Sequence, residues 1–277
     1  MSKFYESNGA RLAYRDVGQR VPAVFLHPTP IDHQYWIPLV AQLTGVRAIL
    51  PDFRGHGESE LGSDLPVGGF SRVPDAPVLS VDRLATDVLA LLDYLKLPEA
   101  VLVGCSIGGY VSLELWRRAH RRIRGLAFIC SKAQPDGEAN LTKRVETIAK
   151  ARKEGTAGIF DGNAQTLIGA TTRARRPEVA SKLRARMTLT SDAVVAVQAG
   201  LATRPDSVPT IASIDAPILA ICGGEDPGIA AAEMLAFQSA PGACEFHLLP
   251  DAGHFAAYEQ PQAVAALMKP WLQQFGD

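Results

Sequence analysis

The sequence predicts an α/β protein built on a mostly parallel sheet, and three observations carry that prediction. Apolar runs of strand length recur along the 277 residues, amphipathic helical patterns separate most of them, and a short hairpin opens the series. Strand alternating with helix is the pattern that right-handed crossovers between parallel strands require. The hairpin comes first: Lys3 to Ser7 and Leu12 to Val17 flank Asn8-Gly9, a dipeptide suited to a tight antiparallel turn. Six further runs follow, Ala23 to Leu26, Val46 to Leu50, Ala100 to Val103, Ile123 to Ile129, Ile218 to Ile221 and Glu245 to Leu249, and their apolar character predicts strands buried on both faces. The clearest helical pattern is Ser80 to Leu95, where Val81, Leu84, Ala85, Val88, Leu91, Leu92 and Leu95 recur at intervals of three and four.

Two stretches break the rhythm. From about Pro135 to Pro209 no strand-like run occurs, and helical patterns such as Arg144 to Lys153 and Pro177 to Met187 succeed one another. Leu61 to Pro77 is rich in Gly, Pro and Asp without periodicity and reads as a long loop, of the kind that is functional or mobile. A length of about 1.8 times a typical domain then has a natural reading. Residues 1–134 and 210–277 form one discontinuous core, and 135–209 form a helical insertion.

Composition narrows the class. With 47% hydrophobic and 21% charged residues the chain falls in the globular range. Its net charge of -1 supplies no bulk field for nucleic acid or an anionic membrane, so neither partner is expected. The insertion differs from the rest. Residues 135–209 carry twelve basic against eight acidic residues, so either a solvated helical face or an anionic small-molecule substrate is expected there. The longest stretch without a charge, Ala100 to Leu113, is 14 residues, short of the roughly 18 to 20 of a membrane span. The N-terminus has no continuous apolar region of the secretory kind, and a cytoplasmic protein is expected. Cys105, Cys130, Cys222 and Cys244 form no CxxC pair, and HExxH, P-loop and GxGxxG patterns are missing, so neither metal nor cofactor is expected. The sequence does not indicate an oligomeric state.

Chemistry concentrates at one junction. Val101-Leu102-Val103 runs into Gly104-Cys105-Ser106-Ile107-Gly108-Gly109 and then into the amphipathic Tyr110 to Ala119. A serine at the apex of a strand-to-helix turn needs small neighbours, because the turn is strained and the chains pass closely. Ser106 is the candidate nucleophile. It needs a base, and the base needs an orienting acid. Downstream, Ile218 to Ile221 ends in Cys222-Gly223-Gly224-Glu225-Asp226-Pro227, and Glu245 to Leu249 ends in Pro250-Asp251-Ala252-Gly253-His254-Phe255. Asp226 and His254 therefore lie just past strands, at the sheet edge where ligands of open parallel sheets bind. Asp226 could instead cap the Ala-rich stretch Ile229 to Phe237, with Glu225 or Asp251 as the acid. His56, His120 and His247 lie on a loop, a helix end and a strand, without an acid at matching spacing.

A developing oxyanion requires two backbone N–H groups. Ile107, after the nucleophile, is one candidate. Ala23 to Leu26 leads into His27-Pro28-Thr29-Pro30, where neither proline has an N–H, so Thr29 is the expected second donor. For His27 the preferred role is structural, hydrogen-bonding the loop backbone.

The chain resembles the α/β-hydrolase family. Leu26-His27-Pro28, Asp52-Phe53-Arg54-Gly55-His56-Gly57-Glu58-Ser59, the Gly104 to Gly109 turn, Gly224-Glu225-Asp226-Pro227, and Gly253-His254-Phe255 through Glu259-Gln260-Pro261 occur in that family's order. The resemblance implies a mostly parallel eight-stranded sheet, with the insertion after the sixth strand serving as a cap over the nucleophile. It also implies a Ser106, Asp226, His254 triad, in that chain order. Val81 to Ile107 and Ala149 to Ala202 look most like the 3-oxoadipate enol-lactonases. Three departures stand beside this closer likeness: Pro28 where the family has glycine, no tryptophan in the insertion, and the long Leu61 to Pro77 loop. Haloalkane dehalogenases and epoxide hydrolases use an aspartate where Ser106 stands, and the HGGPG loop of proline iminopeptidases is missing. The expected activity is hydrolysis of a carboxylic ester or lactone through an acyl-enzyme on Ser106. The alternatives are a carbon–carbon bond hydrolase, a cofactor-free perhydrolase, or a ligand receptor on the same fold.

Overall fold

The structure, a computed structural model, describes residues 1–276. Eight strands form one sheet: β1 (Lys3–Ser7), β2 (Ala10–Gly18), β3 (Val21–Leu26), β4 (Val46–Pro51), β5 (Ala100–Cys105), β6 (Ile123–Ile129), β7 (Ile218–Gly223) and β8 (Cys244–Leu249). Their spatial order is β1-β2-β4-β3-β5-β6-β7-β8, with β1, β2 and β4 paired antiparallel and every later pair parallel. The hairpin turns where expected because Asn8 (φ 43°) and Gly9 (φ 72°) both take the left-handed conformation that a two-residue turn demands. Strands β3, β5, β6 and β7 are almost wholly buried, which explains their unbroken apolar runs. The expectation of burial on both faces fails for β8, which is half-exposed and presents Leu248 to solvent. It is the last strand and pairs only with β7, so nothing covers its outer edge.

Helices cover both faces. The three-and-four pattern forms the helix Val81–Tyr94, whose first turn is capped by Ser80 Oγ accepting from the Arg83 N–H at 3.1 Å. Between β6 and β7 lie six helices, Glu138–Glu154, Ala157–Thr166, Ala170–Arg175, Pro177–Ala185 and Ser191–Ala202, followed by the short Val208–Ile211. Glu138–Glu154 packs along Ser191–Ala202, whose residues are mostly buried. The Leu61 to Pro77 loop is anchored rather than loose: Phe70, Val73 and Ala76 are buried, and Arg72 and Asp75 pair with Glu138 and Arg152 of the first of these helices. Among the described residues no helix is long and apolar enough to cross a membrane.

One buried ion pair ties the hairpin to the core. Arg54, with no side-chain exposure, donates from Nε to Asp87 Oδ2 at 2.6 Å and from Nη2 to Asp87 Oδ1 at 2.9 Å and the Ser7 carbonyl at 2.5 Å. Ser7 Oγ donates to the same carboxylate at 2.7 Å. Removing the acid would leave the buried guanidinium with only Asp64 Oδ1, 3.7 Å from Nη1, as a counter-charge, so Asp87→Ala is expected to cost about 3 to 5 kcal/mol of unfolding free energy. Urea titration measures this, and a loss below about 1 kcal/mol, the scale of a surface pair, would refute it.

Candidate active site

Ser106 sits between β5 and the helix Ile107–Ala119 with φ 53° and ψ -118°, a conformation L residues rarely adopt. Its neighbours make the turn sterically feasible. A Cβ on Gly104 would stand 2.5 Å from the Gly108 carbonyl oxygen, and one on Gly108 would run into the Leu26 carbonyl. The turn is also pinned from outside, since Ser106 N–H donates to the Ile129 carbonyl at 3.2 Å and Ser131 Oγ to the Ser106 carbonyl at 2.8 Å. The helix begins three residues earlier than its amphipathic pattern suggests, directly at Ile107, because Gly108 and Gly109 are inside it.

His254 and Ser106 line one cavity of about 470 Å³. His254 Nδ1 lies 2.7 Å from Asp226 Oδ2. A carboxylate only accepts, so Nδ1 carries the proton and Nε2 keeps its lone pair. The other Asp226 oxygen, Oδ1, accepts from the Gly228 and Ile229 N–H groups at 2.8 and 3.2 Å. Asp226 thus shapes its own turn and faces the imidazole at once. Its two competitors do neither: Glu225 accepts from Thr171, and Asp251 is exposed. Burial pulls the His254 imidazolium down, but the Asp226 charge and hydrogen bond, with a smaller push from Glu259, outweigh it and raise the group above its ordinary value. Ser106 Oγ is not hydrogen-bonded to His254, a contact that commonly tightens only when substrate is seated.

Thr29 lines the same cavity. Among the described residues neither the Thr29 nor the Ile107 N–H has an acceptor in the chain. The loop is held by imidazoles. His27 Nδ1 is 2.9 Å from the Pro28 carbonyl and Nε2 accepts from the Phe53 N–H at 2.9 Å, the structural role expected for it. His56 Nδ1 faces the Arg54 carbonyl at 2.9 Å and Nε2 faces Thr29 Oγ1 at 2.9 Å. Because Nδ1 must donate to a carbonyl, a neutral His56 accepts from the Thr29 hydroxyl, leaving that residue only its N–H to offer a ligand. Sequence spacing missed this, since His56 has no acid to mark it. His247 does have an acid, Glu245 at 3.7 Å, but it stands on β8 and does not line the cavity.

Beyond the serine, Asp136 and Arg144 line the cavity and form with Arg204 a charge cluster that sequence reading did not resolve. Asp136 accepts from Arg144 Nε and Arg204 Nη2, each at 3.0 Å, and Arg144 Nη1 donates to Gln198 at 2.8 Å. Arg204 also lies 4.2 Å over the Tyr110 ring, one helical turn past Ser106. Burial alone would raise the Asp136 carboxyl, but the two guanidiniums outweigh it and hold it below the ordinary range. Lys132 is neutralised by Glu233 at 2.6 Å. Lys143 has no ion pair among the described residues.

Residues 23–267 match the sequence profile of the alpha/beta hydrolase family. The chain belongs to that family. Its sheet order and helical layers are the family's fold, and it is a hydrolase-family enzyme. The 3-oxoadipate enol-lactonase 2 of Acinetobacter baylyi is 29% identical over 79% of this chain and 77% of its own. A putative 2-succinyl-6-hydroxy-2,4-cyclohexadiene-1-carboxylate synthase of Bacillus subtilis is 25% identical over 96% of each chain. A thermophilic esterase from Thermogutta terrifontis, solved with malate bound, superposes with a TM-score of 0.87 at 30% identity, covering 97% of this chain and 95% of its own.

The neutral imidazoles of this hydrolase have a consequence for stability. Burial first, and then neighbouring charge, takes His27 down to about 3, and burial takes His56 down to about 4. In the unfolded chain each titrates near about 6.5. Folded-state values below the unfolded one mean that their contribution is complete above about pH 6.5 and is lost as pH falls toward the folded values. Each therefore adds about 1.4 kcal/mol per pH unit to the acid-side slope. His56→Gln is expected to flatten the dependence of urea stability between pH 6 and pH 4.5 by that amount, and a slope equal to wild type would refute the buried neutral form.

Proposed function

We propose that this enzyme hydrolyses a carboxylic ester or lactone of a small molecule through an acyl-enzyme on Ser106. The observation that carries the reading is the pairing of His254 Nδ1 with Asp226 at 2.7 Å beside a serine held at φ 53° on a strand-to-helix turn. His254 Nε2 takes the Ser106 proton as Oγ attacks the carbonyl, and Asp226 holds the tautomer and stabilises the imidazolium. The Thr29 and Ile107 N–H groups receive the oxyanion, with Ile107 at the positive end of a helix dipole. The imidazolium protonates the leaving alkoxide, and water activated by the same nitrogen then frees the acid. Each proton is handled by His254, so these steps need neither metal nor cofactor.

The five helices of 135–209 act as a cap in this reading. Their side chains supply much of the cavity wall opposite Ser106. The substrate we favour carries a carboxylate. One carboxylate shared by two guanidiniums leaves a surplus positive charge, and Arg144 Nη2 has no acceptor among the described residues. The malate in the related esterase and the enol-lactonase likeness support an anionic ligand.

Ser106→Ala is expected to lower p-nitrophenyl acetate turnover by at least about 10³ and to abolish labelling by a fluorophosphonate probe. Undiminished hydrolysis would sink the nucleophile assignment, and absence of the adduct in wild type would favour a receptor. Turnover of a vinylogous diketone with none on esters, thioesters or lactones would move the assignment to carbon–carbon hydrolysis.

The base must be neutral to act, so kcat/KM is expected to rise with pH through a midpoint above about 6.5. Asp226→Asn should move that midpoint down and reduce kcat by up to about 10⁴. A midpoint that does not move would separate Asp226 from the base.

Arg144→Gln should raise KM for a carboxylate-bearing ester about tenfold or more, the scale of a charged hydrogen bond, with little change for its neutral methyl analogue. Equal effects on both substrates would refute an anionic subsite at this residue.

A further inference from the structure

Glu259 is fully buried, and the proposed chemistry does not use it. Its Oε2 accepts from the Gly253 N–H at 3.2 Å and the Gly169 N–H at 3.0 Å, and Oε1 accepts from the Phe255 N–H at 3.2 Å. Gly253 and Phe255 bracket His254. Gly169 belongs to the insertion, in the connection between Ala157–Thr166 and Ala170–Arg175. The His254 N–H itself donates to the Leu167 carbonyl at 2.8 Å. Three consecutive backbone N–H groups of the base loop are therefore satisfied either by Glu259 or by the cap. Two residues beyond Gly169, the Thr171 N–H and hydroxyl donate to Glu225 at 2.9 and 2.6 Å, beside Asp226. The joint leaves no spare room: a Cβ on Gly169 would stand 2.7 Å from Glu225 Oε2 and 2.8 Å from both Glu259 Oε2 and Gly253 N.

We propose that Glu259 is a positioning residue that joins the cap segment Leu167–Thr171 to the His254 loop, so that this end of the cap and the general base move as one body. The proposal rests on reading His254 as the base. A carboxylate serves the joint because it offers acceptors on both oxygens, whereas an amide would turn one of them into a donor facing another N–H in a buried space. Motion that admits substrate must then come from the far side of the cap, around the helix Glu138–Glu154, while Leu167–Thr171 stays fixed to the catalytic loops.

Hydrogen exchange read by mass spectrometry, with steady-state kinetics alongside, tests the joint on Glu259→Gln in the full chain. Exchange is expected to quicken by about tenfold or more in peptides covering both 167–171 and 252–256, with peptides of β7 unchanged, and kcat on a small neutral ester to fall about tenfold with KM within about twofold. Faster exchange in 252–256 alone would overturn the proposal, because Glu259 would then support only its own loop. So would a joint exchange change with wild-type kcat. If Glu259→Gln does not fold, Gly169→Ala strains the joint from the cap side and is read by the same two peptides and the same kcat. The Ser106→Ala control separates the two failures: turnover that survives it removes the serine mechanism, while the exchange result still decides the joint.

Discussion

Ser106 is held at φ 53° and ψ -118°, and the rest of the site follows from that backbone. Such a conformation costs on the order of 1 to 3 kcal/mol, so it persists only where the surroundings leave no alternative. Here they are over-determined. Gly104, Gly108 and Gly109 let β3, β5 and the segment after β6 close in until no side chain would fit, and the Ile129 carbonyl and Ser131 hydroxyl fix the peptide on either side. The helix that starts at Ile107 leaves its first N–H groups without intrahelical partners beside the hydroxyl. The proposed nucleophile and oxyanion donor are thus products of one strained turn.

Opposite that turn, positioning is done by groups that stay uncharged. His27 and His56 work as fixed hydrogen-bond fittings: each has one ring nitrogen committed to a carbonyl, which makes the other an acceptor. Protonating either would turn an acceptor facing a donor into a second donor. This explains why two buried imidazoles can lie 5.0 Å apart, centroid to centroid, without repulsion. His254 is the contrast. It is buried too, but it faces Asp226, so its charged form is stabilised relative to an ordinary imidazole where theirs is penalised. What the ring nitrogens meet thus separates two depressed imidazoles from the one that is raised.

The sequence made the sheet legible because strand burial writes directly into composition. Runs such as Ala100 to Val103 have no polar face to disguise them, and Asn8-Gly9 announces its turn through positive φ. β8 misled because an apolar run does not reveal which strand will be last. The placing of Ser106, Asp226 and His254 beyond strand ends was legible for the same topological reason, and the parallel order brings Ser106 and His254 to one cavity with Asp226 behind the imidazole. The supporting groups were not legible. Arg204 reaches Asp136 across 68 positions and Glu259 reaches Gly169 across 90, separations over which no local period carries information. Glu259 lay inside a motif already noticed, but its job became visible only with its three N–H partners.

The near-zero net charge gains meaning from where the charges stand. Several cations of the insertion are neutralised at the surface, as Arg184 is by Asp161 and Arg152 by Asp75, and exposed pairs of that kind contribute little. Arg144 and Arg204 are different, because they share Asp136 inside the molecule and Arg204 is only 3% exposed. Two guanidiniums on one carboxylate leave a positive charge that no second acid among the described residues pairs with, and only Arg144, 22% exposed, gives it access to water. On the proposed function, an anionic substrate supplies that charge at Arg144, which lines the cavity together with Tyr110, one helical turn past Ser106. On that reading, the surplus charge selects which end of a carboxylate-bearing ester lies away from Ser106.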